Sequence, residues 1–375
     1  MRGPQVTPFH AGAIARRGAA RLRAGLPFIP MHFGQPSAGA PAAAIAAAHH
    51  ALDRDALGYD ELVELRERIA AYYADTHGLA IAPERVLLTA GASAGLVAAY
   101  AAMFRPGDRV ALLRPGYPAY RNTLCAMRLE PVEIRCGAEQ HYCPTPAQIE
   151  AIDPAPEGIL LASPANPTGA MLDAPLLTAL LASCRARGIR VISDEIYHGI
   201  GYGAPFVSAL EIDPDAVVIN SFSKLYRMPG WRLGWMIVPP AWAEQIHVYL
   251  INMFLTPSTL AQHAALAAMD AREDLEHWVA IYGRNRARLI DGLAALGITR
   301  LLPPDGAFYL YADVGHLTQD SMQFCLRAVD EIGVGLAPGI DFDPDEGHRF
   351  VRFSFAVTPA EIDRALELLA GWLPR

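Results

Sequence analysis

The sequence predicts an α/β fold, a mainly parallel seven-stranded sheet between helices joined to a smaller α+β domain. Three observations carry that prediction. From about residue 85 to 240, short and continuously apolar runs alternate with helical stretches, the pattern of strands covered on both faces. At 375 residues the chain exceeds the usual size of a single core. Its composition, 52% hydrophobic against 19% charged, supplies ample core and excludes a disordered chain.

The seven strand-like runs are 85–89, 109–113, 131–136, 158–162, 190–193, 216–220 and 231–238. Helical pieces fall between several of them, at 92–104 and 174–187, and a long helical region over 241–296 follows. Beyond it come strand-like 307–311, helical 321–332, strand-like 350–356 and a closing helix over 359–373. The expected division is an N-terminal arm at 1–40 that joins the small domain, a large domain at 41–275 and a small domain at 276–375. Arg2, Arg16, Arg17, Arg21 and Arg23 all precede the first acidic residue, Asp53. Such a start suits an organelle transit peptide. A helix near 14–23 packed on the body is favoured instead, because the Arg and Ala bias runs through the whole chain.

Charge and cysteine usage narrow the function classes. The net charge of −8, with no block of like charges, disfavours nucleic acid as a partner. The longest apolar runs, such as 94–104, are too short to span a bilayer. Five cysteines (Cys125, Cys136, Cys143, Cys184, Cys325) form no Cys-x-x-Cys pair and are odd in number. They read as reduced thiols of a cytoplasmic protein, without a disulfide framework or a metal site.

Lys224 is the only lysine; every other one of the 31 basic residues is arginine. An amine can lose its proton and attack a carbonyl, whereas a guanidinium stays charged at any working pH. Compositional drift is the plain alternative, so the neighbours of Lys224 matter. Ligands of open α/β sheets bind beyond the carboxyl ends of the strands. Five clusters follow predicted strands there: Gly91-Ala92-Ser93, Tyr117, Asn166-Pro167-Thr168-Gly169, Asp194-Glu195-Ile196-Tyr197 and Ser221 to Lys224.

Each cluster has a chemical reading beside a structural one. Ser221 and Ser223 offer hydroxyls, and Arg232 offers the planar fork that grips phosphate. Gly91, Ala92 and Ser93 open a helix and present free N–H groups to an anion, with neither Rossmann nor P-loop spacing. Asp194 emerges from a buried strand, where a carboxylate needs a partner; it could keep a pyridine nitrogen protonated. Tyr197 and Asn166 could hydrogen-bond a ring hydroxyl, and Tyr117 could stack on a flat ring. Taken singly, turn capping, a core ion pair and core packing account for all of them. Taken together, a phosphate grip beside an amine suggests a phosphorylated aldehyde cofactor.

The motifs Asn166-Pro167-Thr168-Gly169, Asp194-Glu195-Ile196-Tyr197 and Ser221-Phe222-Ser223-Lys224, followed by Pro229-Gly230-Trp231-Arg232-Leu233-Gly234, stand in order. In that order and spacing the chain resembles the pyridoxal-phosphate (PLP) aminotransferases of class I/II, fold type I, in the aspartate aminotransferase superfamily. The resemblance runs from about Gly34 to the C-terminus. It implies that Lys224 is the Schiff-base lysine and proton carrier, with Asp194 and Tyr197 also catalytic. It implies that PLP is held by Gly91, Ala92, Ser93, Tyr117, Asn166, Asp194, Tyr197, Ser221, Ser223 and Arg232. Arg352, with Gly34 and Asn166, would bind the substrate α-carboxylate.

The resemblance also implies a cytoplasmic homodimer with active sites at the interface, in which Tyr59 reaches the partner's phosphate. The stretch between Tyr59 and Leu65-Arg66 is shorter than the family's usual spacing. The implied reaction is ping-pong transfer of an amino group between an L-amino acid and a 2-oxo acid. Two alternatives stand beside it, a carbon–sulfur β-lyase on the same fold and a catalytically silent effector-binding module. No motif marks the substrate side chain. Arg227 is either a distal cation or a solvated loop residue, and Phe33 and Phe254 are candidates for an apolar pocket that favours a neutral amino acid.

Overall fold

The computed structural model describes residues 6–54 and 57–374, and Arg2 lies outside them. Val, Ile and Leu dominate the apolar runs, and stiff branched side chains covered on both faces favour strands. After the short β1 (Ile29–Pro30) these runs become β2 (Val86–Thr89), β3 (Arg109–Arg114), β4 (Glu130–Arg135) and β5 (Gly158–Ala162). β6 (Arg190–Asp194), β7 (Val217–Ser221) and β8 (Gly234–Ile237) follow. Among the described residues, β2 to β8 form one seven-stranded sheet of order β2-β8-β7-β6-β5-β3-β4. All neighbours run parallel except β8, which is antiparallel to both β2 and β7.

Successive side chains leave opposite faces of a strand, so each strand feeds two cores. Leu88, Ile159, Val191, Val218 and Ile237 pack on one face with Tyr73, Phe222 and Trp235. Leu87, Leu160, Ile192, Ile219 and Met236 pack on the other with Tyr100. Burying one such aliphatic side chain is worth about 2 kcal/mol, and a one-residue slip of register would exchange the two sets.

The last predicted strand begins later than its apolar run suggests. Pro229–Trp231 forms a single 3₁₀ turn and Arg232 sits at φ 54, so only from Gly234 is the chain extended. The long helical region is three helices, Pro240–Phe254, Thr259–Met269 and Arg272–Ala295. The first break has a clear cause: Pro257 cannot continue a helix, and the Ser258 side chain accepts the Ala261 N–H at 3.4 Å to start the next.

A third core collects the C-terminal part and the N-terminal arm. Its strands are β9 (Tyr309–Asp313), the short β10 (Val334–Gly335), β11 (Ala337–Pro338) and β12 (Phe350–Ser354). β11, β12 and β9 form an antiparallel sheet in that order, and β1 pairs in parallel with β10. Ile14, from the helix Ala11–Arg23, packs here with Ile29, Met31, Leu310, Phe353, Ile362 and Leu369. Arg17 of that helix pairs with Asp330, so the helix is seated on the body. The predicted 321–332 helix is regular only over Ser321–Arg327, then widens over Ala328–Ile332 and stops at Gly333. Leu275 packs in the first core, whereas Tyr282, further along the same helix, packs in the third.

No helix among the described residues is long and apolar enough to cross a membrane. All five cysteines are free, and no group of described side chains is arranged to hold a metal ion.

Candidate active site

The carboxyl ends of β2, β3, β5, β6 and β7 open onto one cavity of about 360 Å³. Gly34, Ala92, Ser93, Tyr117, Asn166, Asp194, Tyr197, Ser221, Ser223, Lys224, Arg232 and Arg352 all line it. Arg352 comes from β12 and therefore from the small sheet.

Lys224 follows β7 in a turn fixed by Ser221, whose Oγ accepts the Ser223 N–H at 3.1 Å and donates to the Leu233 carbonyl at 3.1 Å. Its Nζ donates to the Gly34 carbonyl and lies 5.5 Å from the centre of the Tyr197 ring. Burial, aided by the charge of Arg352, lowers the Lys224 pKa from 10.5 to about 8, against the pull of Asp194. The amine is thus far readier to be neutral than an exposed lysine.

Asp194 ends β6 at 3% exposure. Its Oδ2 accepts the Tyr120 hydroxyl at 2.7 Å and its Oδ1 the Ile196 N–H at 3.1 Å. Burial raises its pKa, and Tyr120, Ile196 and Lys224 oppose that rise. Glu195 points to the opposite face of the sheet. One of its oxygens receives Ser193, Ser208 and the Ala209 N–H at 3.0, 3.1 and 2.9 Å, which anchors the strand end beneath the cavity.

The helix Ala92–Met103 meets the cavity with its N-terminus, and no side chain caps it. Its first N–H groups have no partner within the helix and carry the positive end of the dipole. Gly91 holds φ 79, and a Cβ there would overlap the Arg232 guanidinium. The backbone angle requires glycine, and the missing Cβ leaves the guanidinium its place. Arg232 itself sits in the left-handed region, a backbone cost that buys the close approach of its guanidinium to that helix end.

Arg352 donates to Asn166 Oδ1 at 2.8 Å and to the His32 carbonyl at 2.7 Å, between the rings of Tyr309 at 4.3 Å and Phe342 at 4.7 Å. A guanidinium can only donate, so the amide oxygen of Asn166 faces it and the amide nitrogen remains for a ligand. Among the described residues, the buried Nε of Arg352 has no partner.

Two expected residues are placed elsewhere. Gly91 stands just behind the lining, against Arg232, rather than in it. Tyr59 is 80% exposed and is not brought to the cavity of its own chain. The substrate-side readings need correction. Arg227 is neither a distal cation nor solvated: it is buried, paired with Asp274 and stacked over Trp278. Phe33 does line the cavity, and Phe254, at the end of the helix Pro240–Phe254, does not line the cavity of its own chain. Phe9, His32, Leu96, Tyr120, Ile196 and Tyr309 also line the cavity, and sequence reasoning did not find them. Tyr120, one helical turn after Tyr117, and Ile196, inside the Asp194–Tyr197 motif, carried a local signal.

A half-buried amine sharing one cavity with a buried carboxylate, an uncapped helix end and two arginines, on a doubly covered, mainly parallel sheet, defines a fold type I enzyme of amino-group transfer. The chain belongs to the aminotransferase class I and II family, which matches residues 28–369. It is 44% identical to the valine–pyruvate aminotransferase of Mycobacterium tuberculosis, over 98% of this chain and 97% of that one. A crystal structure of an aminotransferase from Mycobacterium tuberculosis superposes with a TM-score of 0.96 at 44% identity, covering 98% and 97% of the two chains. The aspartate aminotransferase of Thermus thermophilus with maleate superposes at 0.92 with 28% identity, covering 100% of both.

Proposed function

We propose that this aminotransferase uses PLP to move the amino group of a neutral aliphatic L-amino acid to a small 2-oxo acid such as pyruvate. The observation that carries the reading is Lys224, the sole lysine, half-buried in the lining of the cavity with its pKa lowered to about 8. Around it the donor set matches the cofactor group by group. The N–H groups at Ala92 and Ser93, the hydroxyls of Ser221 and Ser223 and the guanidinium of Arg232 suit a phosphate. Gly91 serves that site by leaving room for Arg232. Asp194 suits a protonated pyridine nitrogen, Asn166 Nδ2 and the Tyr197 hydroxyl suit the ring oxygen, and Tyr117 suits the ring face.

When bound, PLP supplies an electron sink for the substrate α-carbon. Arg352, with Asn166 and the Gly34 backbone, holds the substrate carboxylate and so orients the α-carbon. The Lys224 amine, once free, takes the proton from that carbon and returns it on the other side of the exchange. Asp194 keeps the pyridine nitrogen protonated throughout. The aromatic and aliphatic wall made by Phe9, Phe33, Leu96 and Ile196 supports a neutral side chain, as does the valine–pyruvate relative.

The division into an arm at 1–40, a large domain at 41–275 and a small domain at 276–375 follows the separate cores described above. The chain is read as a cytoplasmic homodimer. Its free cysteines suit a reducing compartment, and exposed Ile45, Leu52, Tyr59, Val63, Val248, Ile251 and Met253 supply an apolar surface for a second copy. In that dimer Tyr59 turns to the partner's phosphate site.

The test is a half-reaction screen. Purified protein reconstituted with PLP should absorb in the visible range, and valine or alanine should bleach that band faster than aspartate. Lys224→Ala should fold but lose turnover. Near wild-type turnover by Lys224→Ala would refute the assignment.

A further inference from the structure

Tyr309, the first residue of β9, belongs to the small sheet, yet its side chain reaches three parts of the site. Its hydroxyl lies 2.6 Å from the Tyr197 hydroxyl, with the rings edge-on at 81°. Its ring lies under the Arg352 guanidinium at 4.3 Å. A Cβ on residue 34 would overlap its hydroxyl, so Gly34, whose carbonyl receives Lys224, is held against it.

At this distance either hydroxyl can donate to the other, and both tyrosines line the cavity. Among the described residues, Tyr197 is the only hydrogen-bond partner recorded for the Tyr309 hydroxyl. If Tyr197 donates, the Tyr309 proton is the one left to the cavity; if Tyr309 donates, the Tyr197 proton is, and Tyr197 is the residue placed at the ring oxygen in the function proposed above. With Tyr309 donating to the Tyr197 oxygen, the proton of Tyr197 is free to point into the cavity. A hydroxyl that accepts one hydrogen bond also becomes a stronger donor in the next.

We propose that Tyr309 is a positioning residue that aims the Tyr197 proton at the ring oxygen of the cofactor and strengthens that hydrogen bond. This rests on the PLP reading above. A hydrogen bond donated to the ring oxygen withdraws negative charge from it. That lowers the proton affinity of the nitrogen Lys224 contributes to the bound cofactor, and the pH midpoint of the visible absorption reports it.

Tyr309→Phe deletes one oxygen and keeps the ring under Arg352. Wild type, Tyr309→Phe, Tyr197→Phe and the double variant are each reconstituted with PLP and titrated by absorbance. Tyr309→Phe should raise the midpoint by up to about one unit, the worth of one weakened charge-linked hydrogen bond, and Tyr197→Phe should raise it further. The double variant should match Tyr197→Phe alone, because Tyr309 acts only through Tyr197. An unshifted midpoint in Tyr309→Phe, or a shift that persists in the Tyr197→Phe background, overturns the proposal. Failure of the underlying reading shows differently, as no PLP band in the wild-type protein.

Discussion

Replacing Lys224 with methionine should stabilise the cofactor-free protein while removing its chemistry. The Lys224 amine sits 5.5 and 5.9 Å from the centres of the Tyr197 and Phe308 rings. Burial and the nearby Arg352 lower its pKa from 10.5 to about 8. At 1.36 kcal/mol per unit, that shift costs the folded state about 3 kcal/mol when the amine is charged. Below pH 8 the amine is charged in both folded and unfolded chains, so the whole penalty is present. Between pH 8 and 10.5 the folded protein sheds its proton first and the penalty shrinks; above 10.5 both forms are neutral and it is gone. Methionine fills a similar volume and carries no charge. The variant's stability gain should therefore be larger near pH 6.5 than near pH 9.5, by about 2 kcal/mol. Urea unfolding of both proteins at the two pH values measures this, and titrating groups that do not interact with Lys224 cancel in the difference. An equal gain at both pH values would refute the reasoning.

Two further outcomes follow from the same geometry. Arg352→Lys keeps the charge but loses the fork that bonds Asn166 and His32, and KM for the amino acid should rise about tenfold to a hundredfold in steady-state assays. Gly91→Ala places a Cβ against Arg232 at φ 79, so PLP affinity in a fluorescence titration should fall by about tenfold or more, and the backbone strain should lower the unfolding free energy of the cofactor-free protein by ~1–3 kcal/mol.

The sheet was legible because strands covered on both faces are written as unbroken apolar runs. The cavity was legible because loops at their carboxyl ends carry chemically distinctive side chains. What stayed hidden is what the tertiary structure alone decides. The Ala42–Arg54 helix is mostly alanine, too small a side chain to mark one face, and it was not predicted. Tyr120, the partner of Asp194, sits on the short helix Pro118–Ala126, whose proline-rich start reads as a turn. Arg227 beside Met228-Pro229-Gly230 reads as loop, yet Asp274 and Trp278, on the helix Arg272–Ala295, bury it. Phe254 is apolar on a helix, and only packing decides which way such a residue faces. Tyr309 meets Tyr197 from the other side of the cavity, with no local pattern to announce it.

The electrostatics of the cavity explain why these residues are tolerable together. Lys224, Arg232 and Arg352 bring three cations to one space, against the single carboxylate of Asp194. His32 adds no charge: burial, with Arg352 beside it, lowers its pKa to about 4. The cavity is therefore positive at neutral pH, and a buried excess of one sign is unfavourable until counter-charges arrive. In the proposed function, a phosphate at Arg232 and a carboxylate at Arg352 would supply them. The arginine charges that, after burial, help depress the Lys224 pKa thus favour ligands with two anionic groups. Stability is given up in the empty protein so that its one lysine is reactive when the site is filled.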